Sequence, residues 1–210
     1  KMLLPLPTQT SLLSALIEQM RVCNVEQFVI GTRMGNVELL ENALDDLEHP
    51  VALFQADTQT MSETVLMSRE YIEENEAVAF GMPDTYFDDE NAYCKLRAAL
   101  QRGADVAVGV FRARPDQHRK LGMVELEGDS VISVIDKPNR TSLIYGWGIL
   151  AWRANYWEYI RESDPHVGYA LPYAIEAGLQ VKAVIMDGEF YDCGTREEYF
   201  DLIAHIEGRP

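Results

Sequence analysis

Basic side chains are scarce in this 210-residue chain, where 18 Lys and Arg stand against 34 Asp and Glu, a formal net charge of −16. A surface that acidic repels phosphate backbones and anionic lipids, so neither nucleic acid nor a membrane is an expected partner. It also repels small polyphosphates, so any phosphate chemistry here calls for a divalent cation and a few local basic groups. Cysteine is rare too. Cys23, Cys94 and Cys193 are far apart and odd in number, and none lies in a CxxC pair or beside a His. Neither a disulfide framework nor a structural zinc site is therefore expected. No apolar run is long enough to span a bilayer and no secretory leader is evident, which makes the cytoplasm the expected compartment. Repeats, low-complexity tracts and linkers are also lacking. The Asn139-Arg140-Thr141 sequon carries no weight in that setting.

What remains is ordinary for a globular domain, with 47% hydrophobic and 25% charged residues. One domain over residues 1–210 can bury a proper core at this length. The chain opens abruptly on Lys1, not on Met, so further residues are expected upstream.

Apolar spacing along Ser11–Val22 predicts an amphipathic helix capped by Thr10 or Ser11. Helices are also expected over Val37–Leu47, Glu63–Glu74 and Asp88–Arg102, alternating with buried strands at Gln27–Gly31, Pro50–Phe54, Ala77–Phe80 and Asp105–Phe111. Asp88, Asp89 and Glu90 suit the positive end of the last of these helices. This alternation predicts an α/β fold with a mixed, mostly parallel sheet and helices on both faces. After residue 111 the pattern changes. Glu127-Gly128-Asp129-Ser130 separates Gly122–Leu126 from Val131–Ile135 as a hairpin turn would, and Tyr145–Trp152 reads as a further strand. Helical stretches near Ala154–Glu162 and Tyr169–Ala177 follow, with Gly178 placed to cap the second. Short strands at Val181–Met186 and Glu189–Tyr191 and a helix over Thr195–Ile206 complete the expected order.

Ligands of open α/β sheets bind beyond the carboxyl ends of strands, and three polar clusters fall at such ends. Asp84 follows the turn Gly81-Met82-Pro83 and is a hard oxygen donor suited to Mg²⁺. Taken alone it could equally cap a turn. Asp192 ends a strand before Cys193-Gly194-Thr195, with Thr195 a candidate N-cap; Cys193 has no His partner and suits packing better than nucleophilic work. Lys137 lies between Asp136 and Pro138, and the proline is expected to hold it extended, with its ammonium aimed at a phosphate. Singly, each cluster has a plain turn as its alternative.

Together, in this order, these segments resemble the sugar-1-phosphate nucleotidylyltransferase family, which includes the glucose-1-phosphate thymidylyl- and uridylyltransferases. Lys1-Met2-Leu3-Leu4-Pro5-Leu6 resembles the second half of the family's N-terminal signature, and the Asp84 and Asp192 segments resemble its two metal-binding motifs. Leu121-Gly122-Met123-Val124-Glu125 and Tyr145-Gly146-Trp147-Gly148-Ile149 are similar to its sugar-pocket strands, and Asp136-Lys137-Pro138 to its Glu-Lys-Pro. The resemblance runs from Lys1 to about Ile206. It implies a single Rossmann-like, GT-A-like nucleotidyltransferase domain that joins a nucleoside triphosphate to a sugar-1-phosphate and releases pyrophosphate. It further implies Mg²⁺ on Asp84 and Asp192, phosphate contacts from Lys1 and Lys137, base recognition by Gln55 beside Thr60–Thr64, and substrate contacts from Gly122, Asp136, Tyr145 and Gly146. A homo-oligomer is compatible with the family.

Three departures stand out. The family's Gly-rich, Arg-containing loop would precede Lys1 and is expected to lie upstream. The family's Arg before the helix near Tyr169 has only His166 as a substitute, and Asp136 is shorter than the usual Glu. Tyr145, Trp147 and Tyr169 suit either a sugar-stacking wall or the core. Two alternatives follow: a cytidylyltransferase for a non-sugar phosphate such as phosphocholine, or a non-catalytic nucleotide-sugar-binding subunit. A glycosyltransferase of similar fold is disfavoured because no Asp-x-Asp follows the corresponding strand.

Overall fold

The computed structural model describes residues 1–8, 10–45 and 50–208. Ser11 starts helix α1 (Leu12–Val22) by accepting the Ser14 backbone N–H at 3.1 Å. The buried stripe of Leu12, Leu13, Leu16, Ile17 and Met20 then turns one face of that helix to the core. The chain continues through β1 (Phe28–Thr32), α2 (Val37–Leu44), β2 (Val51–Gln55), α3 (Met61–Met67), β3 (Val78–Phe80) and β4 (Thr85–Phe87). Next come α4 (Ala92–Gln101), β5 (Val106–Arg112), β6 (Gly122–Glu127), β7 (Ser130–Asp136) and β8 (Tyr145–Trp152). The last elements are α5 (Ala170–Glu176), β9 (Val181–Ile185), β10 (Phe190–Asp192) and α6 (Arg196–Glu207).

A six-stranded sheet in the order β3-β8-β5-β9-β7-β6 forms the centre, while β1–β2 and β4–β10 are separate pairs. Strand β5 shows why both faces are covered. Ala107 and Phe111 join a cluster with α1 and α4, while Val106, Val108 and Val110 join one with Leu171 and Ala174 of α5. The sheet is mixed, as expected. Four of the six strands share one direction, but β8 and β7 run against them, so every neighbouring pair except β5–β9 is antiparallel and the mostly parallel pairing expected is not found.

Several expected boundaries shift. The helix expected over Val37–Leu47 is described to Leu44, and Leu47 lies outside the described residues. The helix expected over Glu63–Glu74 ends at Met67 in a 3₁₀ turn, Ser68–Tyr71, and Ala154–Tyr159 is likewise 3₁₀. Helix α4 starts at Ala92 and not at Asp88, because Thr85–Phe87 is a strand paired with β10 and the intervening turn is closed by Asp89 accepting the Asn91 N–H. The cysteines differ as well. Cys23, after α1, and Cys94, in α4, form a disulfide with Cα atoms 4.8 Å apart, because the two helices pack side by side. Only Cys193 is free among the described residues, and it is buried.

Candidate active site

A tight turn presents Asp84. The Thr85 N–H and hydroxyl both donate to the Met82 carbonyl, at 3.1 and 2.8 Å, which closes the turn as β4 begins. Strand β4 pairs with β10 so that Thr85 stands opposite Asp192, and the Cys193 N–H donates to the Asp84 carbonyl at 2.9 Å. Two aspartates 108 residues apart in sequence thus stand on adjacent backbones. Burial, then the Asp84 charge, then the Glu198 charge push the Asp192 carboxyl above its ordinary value, and Lys1 opposes them. The Lys1 charge is thus close enough to be felt at Asp192. Glu198 also completes the capping box with Thr195 that starts α6, and it pairs with Lys120. Burial first, and then Asp192 and Asp84, push the Cys193 thiol up to about 12, so it carries no thiolate at neutral pH.

A second cluster surrounds Asp136 at the end of β7. Its Oδ1 faces His166 Nε2 at 3.3 Å and its Oδ2 accepts from the Tyr169 hydroxyl at 3.0 Å. Burial lowers the His166 pKa, and Asp136 only partly offsets it. These groups, with Trp147 and Tyr173, line a cavity of about 170 Å³. Trp147 is wedged between two glycines: a Cβ on Gly122 would lie 2.3 Å from its Nε1, and one on Gly168 would lie 2.4 Å from its Cζ2. Trp147 Nε1 and His166 Nδ1 are buried without a hydrogen-bond partner among the described residues.

Lys137 corrects an expectation. Its φ is +44°, so the backbone before Pro138 is left-handed and not extended. Its N–H donates to the Leu121 carbonyl at 3.1 Å, which ties this turn to the start of β6, and its side chain is exposed. That tie competes with the steric preference that proline imposes.

The remaining sequence candidates are placed as follows. Tyr145 is half-buried against the α5-side cluster, and Gly146 lets Leu121 approach, since a Cβ there would meet Leu121 Cδ1 at 2.9 Å. Gln55 is exposed at the end of β2, in the separate β1–β2 pair. The pairing of Asp136 with His166 and Tyr169 was not anticipated. Its only sequence signal is the set of polar side chains at strand and helix ends. Among the described residues no group of three or more His, Cys, Asp or Glu is placed to hold a metal, and no helix is long and apolar enough to cross a membrane.

Solved structures share this architecture. A chain from Bacillus anthracis assigned as a glucose-1-phosphate thymidylyltransferase, solved with sucrose, superposes with a TM-score of 0.87 at 15% identity, over 100% of this chain and 87% of that one. A UDP-glucose pyrophosphorylase complexed with UDP-glucose gives 0.83 at 17%, over 100% and 91%. The inositol-1-phosphate CTP transferase of T. maritima gives 0.77 at 16%, over 95% and 84%. At such identities the likeness is one of fold. No curated protein matches the chain. The nucleotidyl transferase family profile, however, matches residues 1–209, and the chain belongs to that family.

Proposed function

We propose that this protein transfers a nucleotidyl group from a nucleoside triphosphate to a sugar-1-phosphate, with Mg²⁺ held by Asp84 and Asp192. The observation that carries this reading is the convergence of Asp84, Asp192 and Lys1. Two neighbouring carboxylates repel one another, and Asp192 is held partly out of water. A pair of hard oxygen donors in that position suits a divalent cation, which would keep its other positions for water and phosphate oxygens. When bound, that ion would supply charge neutralisation for the reacting phosphates.

The chain's own groups would position the reactants. An oxygen of the acceptor phosphate attacks the α-phosphorus and forms the new P–O bond. The bond to the bridging oxygen breaks, and pyrophosphate leaves with that electron pair. No covalent enzyme intermediate is needed, so alignment and charge carry the rate. Lys137 would hold the acceptor phosphate and Lys1 the triphosphate. Gln55 is the proposed contact to the base. Gly122, Tyr145 and Gly146 would shape the acceptor wall around Trp147.

One observation favours a second acceptor class. Both oxygens of Asp136 already accept from His166 and Tyr169, which leaves this carboxylate less free for sugar hydroxyls. A non-sugar phosphate is the alternative acceptor, and one structural relative is named for inositol-1-phosphate. Incubating the protein with each nucleoside triphosphate, Mg²⁺ and a panel of sugar-1-phosphates, inositol-1-phosphate and phosphocholine, and measuring pyrophosphate, separates the two. No pyrophosphate release with any acceptor, alongside measurable nucleotide-sugar binding, would instead favour a non-catalytic binding role.

A further inference from the structure

Basic side chains are scarce in this molecule, yet they are not spread evenly. Residues 112–121, from the end of β5 to the start of β6, and 136–144, from the end of β7 to the start of β8, make 19 positions. They carry six of the 18 Lys and Arg but only two of the 34 Asp and Glu.

The fold fastens these two loops side by side. The Ala113 N–H donates to the Ile144 carbonyl at 2.9 Å, and the Lys137 N–H to the Leu121 carbonyl at 3.1 Å. Two of the six cations are satisfied, Arg114 by Asp116 and Glu189, and Lys120 by Glu198. Arg112, Arg119, Lys137 and Arg140 are exposed and have no ion-pair partner among the described residues. Neither acid of the loops neutralises them, since Asp116 faces Arg114 and Asp136 is engaged by His166 and Tyr169. Four like charges crowded together in an acidic chain form a local positive field suited to an anion.

That field borders the Asp136 pocket. Burial, and to a smaller extent the Lys137 charge, lower the His166 pKa, so the Lys137 ammonium is near enough to be felt there. Arg112 stands opposite Tyr145 in the β5–β8 register, which puts both side chains on one face, and Tyr145 packs in the cluster that holds Trp147. Arg140 lies in the short loop between Lys137 and the Ile144 tie. Arg119 precedes Lys120, whose partner Glu198 acts on Asp192, and so belongs nearer the reacting end.

We propose that the acceptor carries a second anionic group besides the phosphate that reacts, and that Arg112 and Arg140 hold it. This rests on the acceptor site assigned above, where Lys137 takes the first phosphate. A guanidinium is suited to the second anion because its fork can donate two hydrogen bonds to one carboxylate or phosphate.

Equilibrium binding in Mg²⁺ tests this with matched ligands. Glucose-1-phosphate is compared with glucose-1,6-bisphosphate and with glucuronic acid-1-phosphate, which separates a phosphate from a carboxylate. Inositol-1-phosphate is compared with inositol-1,4-bisphosphate. The expected result is that the parent binds the ligand with the second anion about tenfold more tightly on at least one skeleton, less so as salt rises. Arg112→Gln and Arg140→Gln should each cut that preference to below about threefold. Arg102→Gln removes the same charge about 20 Å away, at the other end of β5, and should keep it. No preference on either skeleton, or a preference that survives in Arg112→Gln or Arg140→Gln, overturns the proposal. So does an equal loss in Arg102→Gln, which marks a general charge effect. Weakened triphosphate binding in Arg112→Gln with the preference kept would give the patch to the nucleotide and also overturn it. Pyrophosphate release with singly anionic acceptors and no preference leaves the transfer reading standing while this proposal falls; a preference without release does the reverse.

Discussion

Trp147 shows how two residues without side chains govern a third. Gly122 and Gly168 leave no space for a Cβ beside its ring. Gly122→Ala should therefore push Trp147 from its place and cost about 1–3 kcal/mol of stability, read as a lower urea midpoint. An unchanged midpoint would show that the ring has room to shift. His166 supplies a pH signature. Burial, only partly offset by Asp136, lowers its pKa from the ordinary 6.5, so the folded state binds the proton less readily than the unfolded one. Above 6.5 the residue is neutral in both states, and its contribution is intact. As pH falls below that value the unfolded chain takes the proton first, and stability declines until the folded-state pKa is passed. His166→Gln should flatten that part of the stability–pH curve, as followed by thermal melts between pH 5 and 8. A curve as steep as the parent's would assign the decline to other groups. A neutral His166 is also a poor substitute for an arginine at a phosphate.

At the scale of elements, what could be read in the sequence was what is local. The apolar stripe and Ser11 cap define α1, Glu127–Ser130 marks the β6–β7 hairpin, and the expected bounds of Tyr145–Trp152 match β8. The misses share one cause. Strand β4 is three residues long and exists through its pairing with β10, about a hundred residues later, so no local periodicity announces it. The same distance hides the neighbourhood of Asp84 and Asp192, each of which looks like a turn residue on its own. It also hides the Cys23–Cys94 bond, whose partners are 71 residues apart. Asp136 was legible as a strand-end acid, but its engagement by His166 and Tyr169 depends on packing from α5's approach to β7. The disulfide carries its own prediction: it staples α1 to α4, so reduction should lower stability by about 2–4 kcal/mol, measured as a shifted denaturant midpoint. No shift on reduction would mean that the packing of the two helices already holds them without the bond.

For the whole molecule, a net charge of −16 frames everything else. A surface this acidic opposes the approach of a triphosphate, and the two aspartates at the β4–β10 edge sharpen that opposition unless a cation intervenes. Chelation with EDTA should therefore abolish nucleotide binding while leaving the circular dichroism spectrum unchanged. The most direct test of the proposed activity is Mg²⁺-dependent pyrophosphate release by the parent protein, Asp84→Asn and Asp192→Asn, with folding checked alongside. The account predicts release by the parent and a loss of at least about a hundredfold in either variant. Full turnover in a correctly folded Asp84→Asn or Asp192→Asn protein would contradict it.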